Sequence, residues 1–366
     1  MEKIILFRVP VISRYGMASP LVKLLTRSGV KKIQPLPVIN GIACNIPKGM
    51  EDKIFRDMPD VLAVEDNVRI KLRPVKIDGK WPYFGTFDEG DQLIPWGIAK
   101  IGAHKVWEVS RGKKIKVAVI DSGVDLDHPD LRGNIKGGVN ILEPAEKPDD
   151  DNGHGTHVAG TIAAEDNNKG VIGAAPTVNL YAVKVLDRSG EGSLVDIIKG
   201  LEWCINNGMQ VVNLSVGTDT DKLSLRKAVQ KAAERGVILV AAAGNDGTNN
   251  SVDYPGAYPE VIAVGAIDKR GRISSFSSRG PEVTVVAPGS EVYSTFIHQS
   301  YQRQSGTSMA APHVTGLISL MLELNPRLKL PQVMQVFKNT CRRLPGLSAE
   351  EQGYGLINAE KIFFRH

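Results

Sequence analysis

Two hydrophobic rhythms run along this chain. Over about the first 70 residues, apolar positions come in short runs cut by proline, glycine and charge. Residues 2–9 predict a strand. Ser19 to Ser28 predict a helix, with Ser19 as N-cap, Pro20 in the first turn and Gly29 as the stop. Lys32 to Ile46, interrupted by proline and by Asn40-Gly41, predict a hairpin or a bent strand pair. Glu51 to Asp57 predict a short helix, and Val61 to Leu72 a final strand. The order β-α-β-β-α-β is that of a compact split-βαβ unit.

From Trp96 the rhythm changes. Continuous runs rich in Val and Ile occupy 115–120, 211–216, 237–243 and 261–267. Such runs do not alternate, which is the mark of parallel strands buried on both faces. Helical patterns at Ser193–Asn207, Asp221–Arg235, Ser308–Leu324 and Leu330–Cys341 fall between and after them. The alternation predicts an α/β protein with a doubly wound, mainly parallel sheet, preceded by a small α+β domain of ferredoxin-like order. Residues 73–91, rich in Pro, Gly, Lys and Asp and without periodicity, read as a linker. The organisation expected is therefore 1–72, a linker at 73–91, and a large domain over 92–366. The length of 366 residues accommodates two such domains.

Composition narrows the class. At 42% hydrophobic and 23% charged residues the chain can bury a full core. No apolar run approaches the roughly 20 residues of a membrane span, so no membrane partner is expected. Residues 1–80 hold 15 Lys and Arg against 8 Asp and Glu, while the remainder is slightly acidic. The surplus is scattered and forms no stripe interleaved with aromatics, which argues against nucleic acid. It suits a basic first domain docking on an acidic second. Three widely spaced cysteines (Cys44, Cys204 and Cys341) give neither a disulfide framework nor a metal knuckle. The first residues lack a secretory cleavage pattern, so a cytoplasmic location is the expectation, with export by another route left open.

Three segments carry candidate chemistry. Asp121 ends the run Val119-Ile120-Asp121-Ser122-Gly123, at the carboxyl end of a buried strand where α/β proteins build sites. His154 sits between glycines in Asn152-Gly153-His154-Gly155-Thr156-His157 and opens a small-residue helix. The His154/His157 pair lacks the partner motif of a zinc site, and His157 reads as a packed histidine. Ser308, in Ser305-Gly306-Thr307-Ser308-Met309, lies at the start of another helix. Taken singly, each has a plain structural reading as turn residue, packed ring or N-cap. Together they are a nucleophile, a base and an orienting acid, the set that acyl transfer needs.

The stretches VAVIDSGVDLDHPDL, NGHGTHVAGT and GTSMAAPHV resemble the three active-site motifs of the subtilisin family of serine proteases, in family order, and the resemblance runs through nearly all of 92–341. It implies a serine endopeptidase with Asp121 as orienting acid, His154 as general base, Ser308 as nucleophile and Asn245 as oxyanion donor. It also implies polypeptide substrates held between Ser189, Gly190, Gly192 on one edge and Ser215, Val216, Gly217 on the other, with Ala243 and Gly244 along the pocket for the residue before the scissile bond. The segment after Asn245 is shorter than in many members and brings Asp253 near the pocket base, with Asp246 at its rim; two carboxylates there would favour Lys or Arg. A calcium loop is implied, with Asp130, Asn167, Gln92 and the carbonyls of Glu165, Lys169 and Val171 as ligands for a structural Ca²⁺. Thr284 stands where a second, weaker cation site often has a carboxylate. The first domain resembles family pro-regions, which assist folding and inhibit until cleaved, so the chain's own pro-domain is an expected partner. Processing is expected between 72 and 92, with Lys80 and Gly90 as candidates. The competing reading is a pseudoprotease that binds peptides without cutting them.

Overall fold

The computed structural model describes residues 2–8, 20–51, 54, 58–72, 75 and 92–364. Ser19, most of the helix expected over 51–57, and the linker with Lys80 and Gly90 lie outside the described residues.

The chain opens with β1 (Glu2–Phe7), α1 (Pro20–Arg27), β2 (Lys31–Leu36), β3 (Gly41–Asn45) and β4 (Val61–Asp66). These strands form a sheet in the order β2-β3-β1-β4, every neighbour antiparallel. Successive residues of a strand face opposite ways, and β1 is apolar on both. Ile5 and Phe7 pack with Leu25, Val30 and Ile42 in this unit's own core. Ile4 and Leu6, with Ala43, join a cluster that also holds Ile197, Leu201 and Val229 of the large domain. Burying this second face, at about 25 cal/mol per Å² of apolar surface, joins the units by the hydrophobic effect. The docking expected from opposite net charge is thus chiefly apolar. It is completed by an anion at a helix N-terminus: Glu65 accepts the N–H groups of Leu223 (2.8 Å) and Ser224 (3.0 Å).

The strand expected over 61–72 is two strands. After β4, Asn67 donates its N–H to the Glu2 carbonyl (3.1 Å) while its Oδ1 accepts from Val195 N (3.0 Å). This turns the chain away from the first sheet. Residues Arg69–Lys71 form β5, which pairs antiparallel with β9 (Glu191–Ser193) of the large domain.

The large domain runs through α2 (Trp96–Ile101), β6 (Lys116–Asp121), β7 (Ile135–Asn140), α3 (His154–Ala163), β8 (Asn179–Lys184), β9, α4 (Leu194–Asn206), β10 (Val211–Leu214), α5 (Leu223–Glu234), β11 (Ile238–Ala242), β12 (Val261–Ile267), β13 (Val283–Pro288), β14 (Val292–Phe296), β15 (Ser300–Gln304), α6 (Thr307–Leu324) and α7 (Leu330–Thr340). Seven strands make one parallel sheet in the order β13-β12-β11-β10-β6-β8-β7. Val117, Val119 and Val240 pack on one face with α3 and α6. Ala118, Ile120 and Leu214 pack on the other with α4 and α5. This is the doubly wound α/β fold that the non-alternating runs predict. Helix α6 is buried from Thr307 to Leu322, so its first turn is placed by core packing.

Three sheet strands escape the hydrophobic pattern. Ile135–Asn140 is an edge strand carrying two glycines, Asn179–Lys184 begins polar, and Val283–Pro288 ends in proline, which an edge position tolerates. Among the described residues no helix is long and apolar enough to cross a membrane.

Candidate active site

The site forms where β6 and β10 end. Their register sets Ile120 opposite Leu214, so Asp121 and Ser215 leave neighbouring strands about 4.8 Å apart. Asp121 is fully buried and accepts the Ser122 N–H at 2.7 Å. His154 is the first residue of α3, and its Nδ1 lies 2.8 and 3.0 Å from the two Asp121 oxygens. Ser308, the second residue of α6, donates its hydroxyl to the Ser215 carbonyl at 3.2 Å, and the Ser215 hydroxyl donates back to the Ser308 carbonyl at 3.2 Å. The aspartate and histidine are therefore in contact. The Ser308 hydroxyl rests on Ser215, one strand spacing from Asp121, rather than on the imidazole.

Burial by itself would push His154 down, but the charge and hydrogen bond of Asp121, with the charge of Asp150 behind them, outweigh it and raise the ring above the usual histidine value. The flanking glycines serve the protein's own packing. A side chain at Gly153, where φ is +103°, would meet the Phe296 ring at 2.3 Å, and one at Gly155 the Gly123 carbonyl at 2.1 Å. His157 is buried, with Nε2 at 3.0 Å from the carbonyls of Val292 and Gln302, and burial drops it to about 3.

A cleft beside Ser308 is lined by Ser215, Val216, Gly217, Gly244, Asn245 and Asp253, together with Lys71 and Leu72 from β5 and the residue after it. Ala242 stands on this wall. Ala243, expected there, is fully buried, with its N–H and carbonyl engaged by Val264 and Asp253. Asp253 is buried beneath Gly244, whose absent Cβ would come within 2.7 Å of its Oδ2, and Asp246 is exposed. On the opposite edge Gly190 and Gly192 meet the β5 segment. Ser189 instead turns its N–H to Asp187 at 2.8 Å.

Residues 112–355 match the family model described as the Subtilase family. The chain belongs to the subtilase family. It is 46% identical over 270 residues to subtilisin Savinase of Lederbergia lenta, covering 74% of this chain and 98% of that protein. It is 39% identical over 331 residues to a thermostable alkaline protease of Halalkalibacterium halodurans, covering 90% and 84%. It is 41% identical over 307 residues to the minor extracellular protease Epr of Bacillus subtilis (strain 168), a stretch that is 83% of this chain and 47% of Epr. As a subtilase, it is a serine endopeptidase.

The subtilase loop after α3 gathers oxygen atoms. The Gln92 amide donates to the carbonyls of Glu165 (2.6 Å) and Val171 (3.2 Å). The Asn167 amide donates to Pro129 O (3.2 Å) and Asp130 Oδ1 (3.4 Å). Asp130 is fully buried, and its Oδ2 accepts from Val171 N (2.9 Å) and Tyr301 Oη (3.0 Å). The Lys169 N–H donates to Asn167 Oδ1 at 3.0 Å. A buried carboxylate and carbonyls held together only by neutral donors fit a hard divalent cation. Thr284 is buried, and its hydroxyl accepts from Ala263 N at 3.2 Å.

Two supporting residues were missed from the sequence. Thr307 binds Asn245 Oδ1 through its N–H (3.0 Å) and hydroxyl (2.9 Å), which fixes the orientation of the amide. Asp150 ties the two halves of the Asp–His pair. Its carboxylate accepts from Ser122 Oγ (2.8 Å), Thr156 Oγ1 (2.6 Å) and the N–H groups of Asn152, Gly153 and Thr156, while Ser122 Oγ accepts from Gly155 N at 3.0 Å. The signal was available, since Asp150 sits four residues before His154, but nothing in the sequence says that Ser122 faces it. Asp150→Asn removes a negative charge that raises His154, so the ring's titration midpoint should move to lower pH. Unmatching buried donors should cost about 1–3 kcal/mol of stability. NMR titration of His154 and thermal unfolding check the two effects.

Proposed function

We propose that this chain is a zymogen in which residues 92–366 hydrolyse peptide bonds through an acyl-enzyme. The observation that carries the reading is the Asp121–His154 contact, one strand spacing from Ser215, which holds Ser308 at the head of a buried helix. For attack, the Ser308 hydroxyl leaves Ser215 and turns to the ring. Its oxygen bonds to the substrate carbonyl carbon as its proton passes to His154 Nε2. Asp121 holds Nδ1 protonated and stabilises the imidazolium. The oxyanion is taken by Asn245 Nδ2, on the same amide whose oxygen Thr307 holds, and by the Ser308 N–H; in subtilisin itself the side-chain donor is worth about 10²–10³ in kcat. His154 then returns its proton to the leaving amine, the C–N bond breaks, and water repeats the sequence to release the acid.

Asp253 at the pocket base supports a preference for Lys or Arg before the scissile bond, because a buried carboxylate is best matched by a cation. The first domain acts as pro-domain, stabilising the folded enzyme by mass action and inhibiting it. In support, its β1 face packs on α4 and α5 and β5 leads into the cleft. Gln92, Asp130, Asn167 and the carbonyls of Glu165, Lys169 and Val171 would hold Ca²⁺, which supplies stability and no chemical step.

Three outcomes test this. Ser308→Ala should abolish self-processing within 72–92 and fluorophosphonate labelling, read by intact mass. Chelation with excess EDTA should lower Tm by roughly 3–5 °C, as expected for loss of about 2.7 kcal/mol of ligand stabilisation, with recovery on adding Ca²⁺. Asp253→Asn should lower kcat/KM for Lys and Arg substrates relative to Leu substrates by about tenfold or more, as loss of a buried charge pair predicts.

A further inference from the structure

The chain's own segment lies in the cleft as an added strand, and it carries two cations in a fixed place. In the β5–β9 pair, Ile70 lies opposite Gly192, Lys71 opposite Glu191 and Arg69 opposite Ser193, and Leu72 N–H donates to the Gly190 carbonyl at 2.9 Å. Ile70 points inward and is 1% exposed. Arg69 and Lys71, two residues apart, therefore share the outer face. One carboxylate serves both: Glu191 Oε1 lies 2.9 Å from Lys71 Nζ, and Oε2 lies 3.2 Å from Arg69 Nη1.

Glu191 is not a side chain on a loose loop. Asp187 Oδ1 accepts the N–H groups of Ser189 (2.8 Å) and Glu191 (3.0 Å), and Asp187 N–H donates to the Glu191 carbonyl at 2.9 Å. Ser193, two residues on, closes a capping box with Asp196 at the head of α4. The carboxylate thus stands at a defined place along an edge whose backbone N–H and C=O groups any extended peptide must pair with. Main-chain pairing fixes a substrate in the same register whatever its sequence, so its side chain opposite Glu191 meets the charge that Lys71 meets.

We propose that Glu191 is a specificity-determining residue, selecting extended peptides with Lys or Arg at the position Lys71 fills. This rests on reading the cleft as the substrate site of an endopeptidase, and adds a second acidic reader at its outer edge to the one at the pocket base. The pair is exposed, with Lys71 65% and Glu191 27% accessible at the side chain. Its effect is accordingly modest and screened by salt.

The test uses the full-length chain, incubated with calcium, and fluorogenic peptides Arg-Ile-Xaa-Leu-Arg that copy the sequence of residues 69–73, with Xaa as Lys, Ala or Glu. Wild type should prefer Lys over Ala by about two- to fivefold in kcat/KM and place Glu last. The ordering should fade as salt rises from about 0.05 to 0.5 M. Glu191→Gln should level Lys with Ala, and Glu191→Lys should put Glu first. Each ratio is taken within one enzyme, so a general loss of activity cancels. Equal ratios in wild type, Glu191→Gln and Glu191→Lys overturn the assignment of Glu191 while the endopeptidase reading stands. No cleavage of any peptide together with no fluorophosphonate labelling of Ser308 overturns both.

Discussion

The pairing of β6 with β10 is the constraint from which the site follows. Two parallel strands in this register bring Asp121 and Ser215 out of the sheet side by side, and each then carries one half of the chemistry. Asp121 receives His154 from the head of α3, and Ser215 receives Ser308 from the head of α6. Both helices are pressed onto the same face of the sheet, their apolar residues sharing one cluster with Val117, Val119 and Val240. A shift of either strand by one residue would reverse which side chains face which layer, so the core that fixes the register also fixes the distance between the reacting groups.

Hydrogen bonds do the finer positioning. Asp150 and Ser122 join the end of β6 to the start of α3, and Thr307 sets the Asn245 amide from the turn that begins α6. Asp150, Ser122 and Thr307 are buried, and each is hydrogen-bonded. Such networks hold a single arrangement because any other leaves a donor or acceptor without a partner in a low-dielectric interior. The same rule governs the loop after α3, where one buried carboxylate and several carbonyls face each other through amide donors.

The outer edge is organised differently. The first unit does not meet the large domain through its net positive charge. It buries one face of β1, places Glu65 on the N-terminus of α5, and sends β5 to the free edge at β9. Ion pairs enter at that last contact, where Glu191 holds Arg69 and Lys71. Apolar area supplies the docking, and the ion pairs set which side chains suit the edge.

Much of this was legible without coordinates. The double-faced strands announce themselves by runs of Val and Ile that do not alternate. Asp121, His154 and Ser308 each sit in a contiguous segment whose small residues and helix starts are local properties of the chain. What the sequence could not determine are contacts between residues distant along it: that Asp150 reaches Ser122, that Thr307 holds Asn245, that Ala243 lies under the cleft wall, that the chain turns at Asn67 to leave one sheet and join another, and that Glu191 meets Lys71 across 120 residues. Local patterns encode which backbone conformation is cheap and which face is apolar. Strand register and helix packing decide which distant side chains then become neighbours, because these depend on how the whole core closes.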